Sequence, residues 1–151
     1  MTHRITATLS ASGAAASARD VPVSTDFWRP VVQIFLSRAD HFRIDCRNDE
    51  QGALAAAAVL GAAERWNMSG AMTAFEGTLT PVVRRTIITC GLDSDGTPRW
   101  FSLFLYRGRE QLFSSQHYGT LLTASGVDNE DLAILRSLLP ASASIVLDQD
   151  G

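Results

Sequence analysis

Lysine is absent from the chain: all 13 basic residues among the 151 are arginine. With the heavy use of alanine, this reads as the codon bias of a GC-rich bacterial genome, and no mechanism is built on it. Cysteine is nearly absent too. Cys46 and Cys90 are too few for a disulfide framework, and two unpaired thiols suit a reducing cytoplasm. There is no basic excess, since the net charge is −3, so the electrostatic footprint of a nucleic-acid binder is missing. No run approaches the roughly 18 apolar residues of a membrane-spanning helix. The first twenty residues also lack the apolar core of a secretory signal. The expectation is a soluble, cytoplasmic protein with neither nucleic acid nor membrane as partner.

Histidine is equally scarce. His3, His41 and His117 lie far apart and make no zinc-binding spacing. Asp93-Ser94-Asp95-Gly96 begins like a calcium loop, but Pro98 stands where that loop needs glycine and no glutamate closes it. It reads as a turn. No phosphate-cradling glycine loop, GxSxG elbow or dinucleotide fingerprint occurs. Neither a metal nor a cofactor is expected.

What is present is ordinary globular composition, 46% hydrophobic and 19% charged, in a chain long enough to bury roughly 70% of its unfolded surface. Residues 1–20 form an N-terminal segment: alternation of Ile5, Ala7 and Leu9 with polar neighbours predicts an edge strand at 4–10, then a flexible Gly/Ala/Ser linker to about Arg19. Residues 21–148 read as a single domain. Helical spacing of Val31, Ile34 and Phe35 predicts a helix at 29–38, with Asp26 as cap and Pro30 near its start. A second helix starts at Asn48 and runs through the alanines to about Arg65. A third, at 129–139, opens on Asp128 with Asp131 and ends before Pro140.

Strict alternation predicts a strand at 41–47. β-branched and aromatic content predicts further strands at 72–79, 82–91, 99–106 and 110–116, with short ones at 120–123 and 144–147. Trp100 to Tyr106 is apolar on both faces, which places that strand centrally in its sheet. The fold class is α+β: an antiparallel meander sheet of about five to seven strands, with two or three helices packed mostly on one face.

Two features stand out as candidate sites. His41, Arg43, Asp45 and Arg47 share the polar face of one strand. His41 and Asp45 lie about 13 Å apart along it, too far for direct hydrogen bonding, so a solvated or partner-binding face is favoured over catalysis. The second is His117-Tyr118-Gly119, a break between strands where His117 could act as acid or base and Tyr118 as hydrogen-bond donor. Glu76, within a strand, is expected to pair with Arg84 or Arg85 on the next. Cys46 and Cys90 sit in apolar surroundings, and Trp28, Trp66 and Trp100 supply core bulk.

The leading expectation is a small non-enzymatic binding or accessory protein that engages a protein partner through the charged face at His41, Arg43, Asp45 and Arg47. The alternative is a small metal-independent enzyme holding an organic metabolite in a sheet–helix pocket, with His117, Tyr118, Glu76 and His41 as acid–base groups. A third, homo-oligomeric reading rests on the apolar strands and the alanine-rich helix, which would suit an interface between copies.

Overall fold

The computed structural model describes residues 2–9, 25–64 and 70–149. In chain order the elements are β1 (His3–Thr8), α1 (Trp28–Leu36), β2 (His41–Arg47), α2 (Gln51–Ala58), β3 (Ala62–Glu64) and β4 (Met72–Thr78). Then follow α3 (Pro81–Cys90), β5 (Ser102–Arg107), β6 (Glu110–Gln116), β7 (Leu121–Val127), α4 (Asn129–Leu138) and β8 (Ser144–Gln149). The strands form one antiparallel sheet in the order β3-β4-β2-β5-β6-β7-β1-β8. The fold is therefore α+β, with eight strands and four helices among the described residues. β5, apolar on both faces in the sequence, lies centrally in the sheet.

The sheet sorts its side chains by alternation. Phe42, Ile44 and Cys46 of β2, Leu103 and Leu105 of β5, Phe113 of β6, Leu122 and Ala124 of β7, and Ile5 and Ala7 of β1 are all buried. The helices pack on this face. Phe35 of α1 stacks on Phe113 at 4.9 Å, and Trp28 donates its indole N–H to Ser115 Oγ at 3.0 Å. Cys46 Sγ reaches the Ala53 carbonyl of α2, and Trp100 Nε1 donates to the same oxygen. α3 and α4 pack beside α1. Each large apolar side chain so buried is worth about 1.5–3 kcal/mol.

Several expectations are corrected. Segment 82–91 is not a strand but α3. Pro81 occupies its first turn, where the missing N–H costs nothing, and the Thr80 side chain caps Val83 N. Its β-branched residues were overruled by this start signal and by packing against α1. The alanine helix ends at Ala58 instead of about 65, and the chain then forms the short edge strand β3. A Cβ on Gly61 would collide with the Glu76 carbonyl, so this close approach to β4 requires glycine. β1 is not an edge strand, because β8 pairs along its outer side. The linker expected at 11–19 and the core role of Trp66 lie outside the described residues.

The caps differ as well. The first residue before α1 is Phe27, not Asp26, and it makes no side-chain cap; before α2 stands Glu50, not Asn48. The Asn48 side chain instead holds the start of β4, donating to the Gly70 carbonyl and accepting from Thr73 Oγ1. Asp128 and Asp131 do form the reciprocal cap of α4.

Candidate functional site

No described helix packs on the other sheet face, where strand register lines side chains into rows. One row crosses the whole sheet: Ala62, Glu76, Arg43, Phe104, Ser114, Thr123, Thr6 and Val146. Beside it runs Ala74, Asp45, Ser102, Gln116 and Leu121. His41 and Tyr106 stand opposite each other one row further on.

Charges on this face are neutralised along the strand. Arg43 Nε donates to Asp45 Oδ1 at 3.0 Å, and its guanidinium lies over the Phe104 ring, 5.8 Å from the centroid. Both partners are mostly shielded, with 23% and 17% of their side chains exposed. His41 Nδ1 meets Asp40 Oδ1 at 2.7 Å, and Arg47 makes two hydrogen bonds to Asp49. These outer pairs are exposed and screened by solvent, so they add little to stability. The Tyr106 phenol sits beside Arg43, Asp45 and Glu76, and burial holds it above its ordinary pKa.

At the Arg47 end, the strand approaches the β6–β7 turn. His117 and Tyr118 both have positive φ, 51° and 56°, followed by Gly119 at 82°. Gly119 N donates to the Gln116 carbonyl at 3.1 Å. The positive φ values lie in a four-residue connection, 117–120, between the paired Gln116 and Leu121, at a cost for the non-glycine residues on the order of 1 kcal/mol each. Phe101 meets His117 and Tyr118 edge-on, at 5.1 and 5.4 Å. The Tyr118 hydroxyl donates to Glu50 Oε1, which ties the turn to the start of α2. Arg47, Asn48, Asp49, Ala71, Met72 and Phe101 line an open groove of about 550 Å³ here.

The sequence candidates thus divide. Arg43 and Asp45 sit centrally on the helix-free face, His41 and Arg47 at its two ends. Glu76 is opposite Arg43, not beside Arg84 or Arg85, which lie on α3. His117 and Tyr118 belong to the groove end. Three strand spacings, about 14 Å, separate the strand of Glu76 from that of His117. About 20 Å of strand separates the row of His41 from His117. The four proposed acid–base groups therefore do not converge. Phe101, Phe104 and Tyr106 were read only as strand-forming bulk; their exposure depends on which face lacks helices, which a two-residue period does not reveal. Nothing local in the sequence marks Glu50 as part of the site, because its bond to Tyr118 spans 68 positions.

Compared with known protein families, curated proteins and solved structures, the chain matches none.

Proposed function

We infer that the chain is a non-enzymatic binding protein that engages a protein partner through the helix-free face of its sheet. The observation that carries this reading is the central cluster of Arg43, Phe104 and Tyr106. Arginine and tyrosine concentrate in the energetic centres of protein interfaces, because each offers a large rigid contact area with a polar end. The cation is already held over Phe104 and paired with Asp45, so little side-chain entropy remains to be lost on docking. Exposed pairs at the ends, His41 with Asp40 and Arg47 with Asp49, suit a polar rim. Two free thiols, Cys46 and Cys90, accord with a cytoplasmic setting.

The enzyme reading has weaker support. Only Tyr118 and His117 stand near the groove. Burial, and then the bond to Glu50, push the Tyr118 phenol up to about 12, which makes it a poor base at neutral pH.

A photo-cross-linking amino acid placed at Tyr106 or Thr123, and separately at Val82 on exposed α3, tests the reading in the cells that make the protein. Adducts of one discrete mass from the sheet positions alone are expected. Adducts only from Val82, or none from the sheet, overturn it.

A further inference from the structure

Every antiparallel sheet must deal with its two edges, which leave alternate backbone N–H and C=O groups without a strand partner. Here they are dealt with unequally. At one edge, among the described residues, β3 has three residues, too short to template another strand. At the other, β8 has six, Ser-Ile-Val-Leu-Asp-Gln, and among the described residues no strand pairs with its outer side. Val146 is 55% exposed and Leu147 40% exposed, two of the five large apolar side chains that stand out in solvent among the described residues. Val146 points to the helix-free face and Leu147 to the helix face, so apolar surface flanks the open edge on both sides of the sheet.

We propose that β8 is a homodimer interface, where two copies pair β8 with β8 antiparallel about a two-fold axis through Val146. Symmetry and side-chain chemistry together select this register. A two-fold axis perpendicular to the sheet sets residue k opposite itself and keeps both helix layers on one side. Centred on Val146, the pairing puts Val146 opposite Val146, Ile145 opposite Leu147 and Ser144 opposite Asp148. Every apolar residue then meets an apolar one, and each Asp148 meets a hydroxyl. Centring on Leu147 would set Val146 against Asp148, and centring on Asp148 would oppose two like charges, which is destabilising. Within its own chain Asp148 stands in register with Arg4 of β1. The result is one continuous sheet of sixteen strands, in which the row through Arg43, Phe104 and Val146 extends into the second copy.

The test uses the full chain with Cys90→Ser, which leaves the buried Cys46 as the remaining thiol. Cβ atoms directly opposite in an antiparallel pair are about 4.5–5.5 Å apart, within reach of a disulfide after small adjustment. Val146→Cys is expected to form a covalent dimer under mild oxidation, and Asp148→Cys to form several-fold less, because its opposite residue is Ser144. Sedimentation of the unmodified chain at micromolar concentrations is expected to give twice the chain mass. Val146→Lys is expected to return the mass to one folded chain and to remove the dependence of the thermal midpoint on protein concentration that dimerisation gives the parent, since the side chain is solvent-exposed in the single copy. A monomeric parent chain overturns the proposal. So does a dimer unaffected by Val146→Lys, or equal cross-linking at positions 146 and 148.

Discussion

Tyr118 donates its hydroxyl to Glu50 and so clamps the β6–β7 turn, with its two left-handed residues, onto the start of α2. The phenol is held near 12, above the 10.0 of a free tyrosine, first by burial and then by Glu50. A raised folded value means that the contribution to stability is complete below pH 10 and is lost as pH rises towards 12. Alkaline absorbance titration of the two tyrosines is expected to show both ionising above 10, the later at about 12, and Tyr118→Phe to remove that later step. The same variant should lose about 1 kcal/mol at neutral pH in urea unfolding.

Acid has the opposite sign. Asp131 accepts from both Arg38 amino groups, at 2.7 and 3.0 Å, and its carboxyl is held below 3.8 mainly by that pairing. A depressed folded value contributes stability above about pH 3.8 that disappears as pH falls through the folded pKa. Asp131→Asn also disturbs the α4 cap, and a loss of about 1–2 kcal/mol is expected at pH 7. Urea midpoints of the variant and the parent chain should converge by pH 2; a gap that persists unchanged would show that the charge is not what matters.

Arg84 offers a test of why arginine serves where lysine would not. Its fork donates to the Leu36 carbonyl and, at 2.8 Å, to the Ala39 carbonyl, closing the end of α1 from α3. Lysine carries a single nitrogen and cannot reproduce the planar fork. Arg84→Lys is expected to cost about 1 kcal/mol in thermal or urea unfolding.

Charge reversal separates the centre of the helix-free face from its rim. Arg43→Glu would put a carboxylate beside Asp45 and Glu76 on a mostly shielded site, so a loss of about 2–3 kcal/mol is expected. Arg47→Glu, with half its side chain exposed, should leave stability nearly unchanged. Equal losses for the two would contradict the half-buried placement of the Arg43–Asp45 pair.

The legible part of this chain was its periodicity. Alternation at 41–47 gave β2 within its observed bounds, and the two-sided apolar run after Trp100 gave a central strand. Asp128 with Asp131 marked the start of α4. What failed was local propensity against start signals: Thr80-Pro81 opens a helix, and the β-branched residues that follow it read as strand. At the site, His117-Tyr118-Gly119 was readable as a turn, because glycine and a break in alternation are local. Its clamp to Glu50 was not readable, nor was the convergence of Arg43, Phe104 and Tyr106. Both depend on strand order and on which face the helices cover, which are set by long-range packing.

The most direct test of the central claim is the affinity of the cross-linked partner for three forms of the protein: the parent chain, Tyr106→Ala and Val82→Asp. Tyr106→Ala is expected to weaken binding at least about tenfold in a chain that remains folded, as truncation of a central interface aromatic does. Val82→Asp, on α3, is expected to bind like the parent chain. Undiminished binding by Tyr106→Ala, or a loss confined to Val82→Asp, would place the partner on the helices and contradict the account.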